Sequence, residues 1–215
     1  MQVTLLCSDF NHPVYPYLKA WQEEYKDIHD ISVVSKVSEV RQGGDMLFLI
    51  SCSEIISAQI RALFGHTLVL HASDLPLGRG WSPHIWSVLL GKGELTLSLL
   101  NAEDSVDTGD IWRKKYIKLN GTELYHEIDK LIFEAEVELV SWACQNISTV
   151  EPKPQTSGVT SYYPKRTPDD SELDIDKGIR EQFNLLRCCN PDRYPAFFKL
   201  NGCKYKLIIE RYDED

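Results

Sequence analysis

The stretch Met46-Leu47-Phe48-Leu49-Ile50 is apolar at every position. It is too short for a buried helix and has no polar face to offer water, so it reads as a strand covered on both sides. Such a strand belongs inside a parallel sheet, and its neighbours fit that setting. Val3 to Cys7 and Ile31 to Val34 are short apolar or β-branched runs, Tyr15 to Tyr25 has helical spacing behind Pro13, and Leu68 to Leu70 forms a further strand. Ser53 reads as the N-cap of a helix over 54–64. The alternation predicts an α/β class core, a sheet with crossover helices on its faces.

Pro83 opens a helix to Leu90, Gly91 and Gly93 break it, and Glu94 to Leu100 resumes as a strand. Ile111 to Leu119 alternates like a half-solvated strand. Thr122 caps a long helix to about Cys144, with Leu124, Ile128, Leu131, Ile132, Ala135, Leu139 and Trp142 on one stripe. From Glu151 to Ser171 proline, glycine, serine and threonine dominate, which predicts an irregular connector. Beyond it, 175–186 reads as an amphipathic helix, and 194–200 with 205–209 as a hairpin turning at Asn201-Gly202. The expected division is a core over 1–154 and an appended unit over 155–215.

At 215 residues, with 43% hydrophobic and 26% charged positions, the chain can bury a full core without staples. No apolar run approaches the length of a membrane span, and the start lacks a secretory pattern, so a cytoplasmic protein with no membrane partner is expected. The formal charge of -9 disfavours a nucleic-acid partner. The six cysteines show no CxxC spacing. They read as reduced thiols, and no metal is expected.

Two polar loops, HASDLPLGRGWSP and NAEDSVDTGD, each follow a buried strand. In open α/β sheets ligands sit outside strand ends, so chemistry is expected there. His71 closes one strand and Asp107 lies in the loop after another; neighbouring strands would bring both to one edge. A histidine oriented by a carboxylate can take a proton from an attacking amine and steady a developing oxyanion, which suits acyl transfer.

Around that pair, His71-Ala-Ser-Asp-Leu-Pro76, Arg79-Gly80-Trp-Ser-Pro83 and Asp107-Thr-Gly-Asp110 resemble, in order and spacing, the H-x-S-x-L-P, R-G-x-x-P and D-T-G-D segments of the 10-formyltetrahydrofolate-dependent formyltransferases. CSDFNHP, DMLFLISCSEII and the tail from YYPKRTPDDSELD onward are similar to the sugar-nucleotide N-formyltransferase branch, particularly enzymes of pseudaminic acid-type 4-amino sugar pathways. The resemblance implies a Rossmann-like, mostly parallel sheet with flanking helices, the formyltransferase fold, with a small C-terminal helix and β-hairpin unit. It implies transfer of a formyl group from 10-formyltetrahydrofolate to the amine of a nucleotide-linked amino sugar. His71 and Asp107 match the catalytic histidine and aspartate. Ile50, Ser51, Cys52 and Ile55 match one wall of the pterin pocket, and Ala102, Asp104 and Val106 the other. Arg79, Gly80, Trp81 and Pro83 fall where substrate is met.

The chain departs from that pattern at one place: the usual Asn-x-His reads Val69-Leu70-His71, so an amide that would donate to the oxyanion is missing. A non-catalytic folate- or nucleotide-binding module therefore stays open, and so does a formyltetrahydrofolate hydrolase, which would use the same His71 and Asp107. A methionyl-tRNA enzyme would be expected to carry a longer basic C-terminal domain, and a glycinamide ribonucleotide enzyme a glycine-rich loop where this chain has Ser8 to Pro13. Trp81 could stack on a base or pack its loop, Arg79 could meet a pyrophosphate or brace the glycines, and Tyr162, Tyr163, Lys165, Arg166, Arg187 and Arg193 offer a nucleotide diphosphate site. His12, His84 and His126 read as structural. Exposed apolar residues in the hairpin suggest a homodimer.

Overall fold

A computed structural model describes residues 1–40, 42–156 and 158–212. A sheet ordered β2-β1-β3-β4-β6-β7 forms its centre. Its strands are β1 (Gln2–Leu6), β2 (Asp30–Val34), β3 (Gly44–Leu49), β4 (Phe64–His71), β6 (Glu94–Asn101) and β7 (Ile111–Lys118), with the two-residue β5 (Arg79–Gly80) lying outside it. β2, β1, β3 and β4 run parallel, while β6 and β7 are antiparallel additions. The mostly parallel α/β sheet expected from the alternating segments is present.

The apolar strand is buried on both faces, but unequally. Met46, Phe48 and Ile50 enter the main core with residues of α1 (Tyr15–Tyr25), α3 (Pro83–Leu89) and α4 (Tyr125–Asn146), whereas Leu47 and Leu49 enter a thinner cluster with Leu6, Ile56 and Phe64. That second face lacks the helix expected over 54–64. Helix α2 covers only Ala58–Arg61, capped by Ser57, whose hydroxyl accepts from the Ile60 N–H. Residues 51–56 are an irregular turn instead, and β4 begins at Phe64 rather than Leu68. Nothing in the local pattern of Ser53 and Ser57 separates the two caps, since each offers the same hydroxyl.

Helix α4 starts at Tyr125 rather than just after Thr122: the Leu124 N–H donates to the Glu127 carboxylate at 2.8 Å, the acidic half of a capping box. The connector is not wholly irregular. Its Tyr162–Tyr163 (β8) pairs in parallel with β5. Helix α5 covers Ile179–Cys188, four residues later in its start than expected. The hairpin of β9 (Ala196–Leu200) and β10 (Cys203–Leu207) turns at Asn201 and Gly202, both at positive φ (50° and 79°), the conformation that the Asn-Gly pair favours. Among the described residues no helix is long and apolar enough to cross a membrane.

Candidate active site

His71 is the last residue of β4 and Asp107 lies in the 102–110 loop after β6. The expectation that neighbouring strands deliver both loops to one edge needs correction. β4 and β6 are antiparallel, with His71 opposite Ser98 and Leu68 opposite Asn101, so the two loops leave in opposite directions. The pair forms because the second loop doubles back. Its base is closed by the Asn101 N–H bonded to the Asp110 carbonyl at 2.9 Å, and Ala102 donates to the Thr67 carbonyl. Gly109 permits the closure: a Cβ there would lie 2.0 Å from the Asn101 oxygen.

The result places His71 Nδ1 3.4 Å from Asp107 Oδ1, with both residues 7% exposed. Asp107 sits at φ 58°, a left-handed conformation that costs a non-glycine residue of order 1 kcal/mol or more. Its environment holds it there. Oδ2 accepts from the Gly80 N–H at 3.0 Å, and the Asp107 carbonyl accepts from Gln155 Nε2 at 2.8 Å. On its other side His71 Nε2 lies 2.9 Å from the Gly78 carbonyl, which can only accept, so that nitrogen carries the proton in this arrangement. A neutral imidazole has one N–H for two acceptors.

The loop 78–81 that brings Gly78 and Gly80 to the pair is itself laid on the connector. Gly78 donates to Ser161 Oγ, Arg79 to the Ser161 carbonyl, and Trp81 to the Tyr163 carbonyl. Gly80, at φ 96°, has the Tyr163 carbonyl 2.4 Å from where a Cβ would stand. No sequence signal points to Gln155, Ser161 or the Gly78 carbonyl, because what they contribute is a backbone carbonyl, a lone hydroxyl or a lone amide in a proline-rich stretch.

The other expected positions divide. Ile50 is fully buried in the main core, so its side chain cannot meet a ligand. Ser51 has φ 49° and turns the chain there. Cys52, Val69 and Ala102 each pack against the thin cluster, and Arg61 donates to the Ile56 carbonyl and pairs with Asp104, so the turns 51–56 and 103–106 are tied to one another. Ile55 and Val106 are exposed. Among the described residues, neither turn makes a backbone-to-backbone hydrogen bond. Side chains take some of their backbone groups: the Ser53 N–H donates to Ser8 Oγ, and the Ile56 and Ser105 carbonyls accept from Arg61 and Thr108. A flat heterocycle read through backbone groups would use the others beside an apolar floor.

Arg79 is committed to structure, donating to Gln155 Oε1 at 2.8 Å, and Pro83 is buried in the first turn of α3. Trp81 remains half exposed, with the Lys165 ammonium 4.7 Å from its ring centre. The expected cluster of free cations is not there. Arg187 is buried and bonded to Glu123, Arg166 donates to Asp170 and Ser171, and Arg193 faces Asp9 at 3.6 Å. His12 is structural, as read, with Nδ1 accepting from the Val14 N–H and the ring edge-on to Phe133. Desolvation pulls His12 and His84 down to about 4. On α4, burial and then the nearby Asp129 push Glu136 up to about 8, and its Oε2 has no hydrogen-bond partner. No group of three or more His, Cys, Asp or Glu among the described residues could hold a metal.

No family model matches the chain. A methionyl-tRNA formyltransferase from Protochlamydia amoebophila is 25% identical over 215 residues, covering 97% of this chain and 64% of the relative. The chain spans between 45% and 64% of the length of the first curated relatives it matches, all bearing that name. Among solved structures, methionyl-tRNA formyltransferase from Clostridium thermocellum superposes with a TM-score of 0.80 at 20% identity, over 99% of this chain and 94% of that one. A sugar N-formyltransferase from Shewanella sp. gives 0.74 at 14%, over 100% and 99%. HypX from Aquifex aeolicus, in complex with tetrahydrofolic acid, gives 0.79 at 19%, over 97% and 37%. The chain has the formyltransferase fold and is related in sequence to formyltransferases.

Proposed function

We propose that this chain transfers a formyl group from 10-formyltetrahydrofolate to the amine of a nucleotide-linked amino-deoxy sugar, a UDP- or dTDP-4-amino-4,6-dideoxy sugar. The observation that carries the reading is the buried His71–Asp107 pair, set in motifs that resemble those of the formyltransferases. The donor reading is supported by the two turns, whose backbone makes no backbone-to-backbone hydrogen bond, beside Cys52, Val69 and Ala102, and by the fold shared with HypX in complex with tetrahydrofolic acid.

In the reaction the neutral amine attacks the formyl carbon, a new C–N bond forms, and the bond from that carbon to the donor nitrogen breaks. The amine must lose a proton and the leaving nitrogen must gain one. When the Gly78 carbonyl gives way, the ring proton moves from Nε2 to Nδ1, where the N–H donates to the Asp107 carboxylate, and the Nε2 lone pair is then free to accept the proton of the amine. The protonated ring then returns the proton to the leaving nitrogen. With valine at position 69, the oxyanion relies on His71 and on backbone donors nearby.

The sugar acceptor is supported by the net charge of -9, which repels a polyanion, and by superposition on the whole of a sugar N-formyltransferase. The names of the curated relatives favour a second reading, methionyl-tRNA as acceptor. The test is to offer 10-formyltetrahydrofolate with a panel of UDP-, dTDP- and GDP-linked amino sugars and with methionyl-tRNA, reading formylation by mass spectrometry beside His71→Ala. Formylation of one sugar, reduced on the order of 10³-fold or more in the variant, supports the proposal. Formylation of the tRNA alone replaces it, formate release without any acceptor marks a hydrolase, and folate binding without turnover marks a binding module. Leu200, Tyr205 and Ile208 on the hairpin are exposed and would support a twofold contact. A gel-filtration mass of one chain rules that contact out.

A further inference from the structure

We infer that Gln155, a connector residue outside every motif, is a positioning residue that locks the two loops of the site to each other. Its amide uses both ends. Nε2 donates to the Asp107 carbonyl at 2.8 Å and the Gly109 carbonyl at 2.9 Å, while Oε1 accepts from Arg79 Nη2 at 2.8 Å. Both N–H bonds of the amide are thus spent on the loop that carries Asp107, and its oxygen on the loop that carries Gly78 and Gly80. A primary amide is suited to this, because it presents two donors and an acceptor in one plane. No carboxylate could replace it, since both carbonyls demand a donor.

The bonds fall where the geometry is under load. Asp107 stands at φ 58°, and the residue two places on, Gly109, is pressed against Asn101. Gln155 bonds the carbonyls of both, and so opposes relaxation of the Asp107 backbone out of the left-handed region. If Asp107 relaxed, its carboxylate would leave Nδ1 of His71 and the Gly80 N–H together, because Oδ1 and Oδ2 serve one each. Gln155 touches neither imidazole nor carboxylate. It acts on the reaction through the backbone of the residue that orients the base. This role deepens the formyl-transfer reading and rests on it for its kinetic consequence, but the positioning of His71 is measurable without any substrate.

The experiment compares Gln155→Glu and Gln155→Ala with Asp107→Asn in the full chain. The first readout is the pair of ring 15N resonances of His71 in the resting protein, and the second is the separation of kcat from the KM for the formyl donor. Glutamate keeps the length of the side chain and the contact to Arg79 while removing both donors. If the amide positions Asp107, Gln155→Glu shifts the His71 resonances in the same direction as Asp107→Asn and lowers kcat on the order of 10²-fold with donor KM little changed. Gln155→Ala behaves alike. If Gln155→Glu keeps wild-type resonances and kcat, the residue merely fills space or tethers Arg79, and the inference is overturned. Should both variants fail to fold, Gln155→Asn, one methylene shorter, replaces them: wild-type resonances in it overturn the inference and shifted ones sustain it. Shifted resonances in a protein that formylates nothing sustain the positioning role and sink the formyl-transfer reading instead.

Discussion

The two sides of the proposed reaction centre are built in opposite ways. On the side of His71 and Asp107, side-chain and backbone polar groups are tied to partners supplied by the connector: Ser161 for Gly78, Tyr163 for Trp81, Gln155 for Asp107 and Gly109. On the side of the 51–56 and 103–106 turns, the backbone is left without backbone partners, and the floor is made of Cys52, Val69 and Ala102. Groups that must hold a proton at a set angle are locked by what surrounds them. The partners the two turns do have are side chains, Ser8 for the Ser53 N–H, Arg61 for the Ile56 carbonyl and Thr108 for the Ser105 carbonyl, which on the formyl-transfer proposal leaves the remaining backbone groups to a heterocycle.

The contrast breaks most severely at Gly109. Gly109→Ala puts a methyl into the Asn101 carbonyl, so the 102–110 loop opens and Asp107 leaves His71. The expected result is a fall in kcat on the order of 10²-fold together with a lower melting temperature, while titration of the folate by fluorescence still gives binding. Wild-type kcat in this variant would show that the loop closes without its tight base.

Glu136 tests the same contrast from inside the core, where a buried carboxyl stands without the partners that Asp107 enjoys. Its folded pKa is raised from 4.5 to about 8. Between those values the unfolded chain gives up the proton that the folded chain keeps, so stability falls as pH rises through that window and levels off above it. Gln at this position does not titrate. Melting curves of Glu136→Gln and wild type should therefore diverge from pH 5 to pH 8, with the variant gaining a few kcal/mol at the alkaline end. A constant difference across that range would mean that Glu136 is ionised in the folded protein.

The smallest effect sharpens the comparison at its seam. Val69 lies on the open floor but on the same strand face as His71, two residues away. Val69→Asn should raise kcat about 10-fold by adding an oxyanion donor, less than a full donor is worth because the amide displaces apolar packing. Steady-state kinetics with the acceptor found in the panel measure it, and an unchanged kcat would mean that backbone groups already fill that role.

Much of this was legible beforehand for physical reasons that also mark where legibility stops. Met46 to Ile50 had to be a doubly covered strand, and Asn201-Gly202 had to turn a hairpin, because few conformations suit those residues. His71 and Asp107 were findable as side chains whose chemistry is their identity. The direction of β6 was not, since an apolar run such as Leu95 to Leu100 reads the same whichever way it crosses the sheet. Nor was Gln155, whose partners are carbonyls that every residue carries. The free cations expected of Arg166 and Arg187 vanished because a sequence displays charge but not the glutamate or carbonyl that consumes it.

The hydrogen bond from His71 Nε2 to the Gly78 carbonyl bears on economy as well as geometry. While that bond stands, the nitrogen has no lone pair to lend, and a nucleophile beside it meets an occupied base. The nitrogen can act as a base only if the 78–81 loop gives up that bond. On the formyl-transfer proposal, the resting arrangement would withhold the base from an activated one-carbon unit until the 78–81 loop moves.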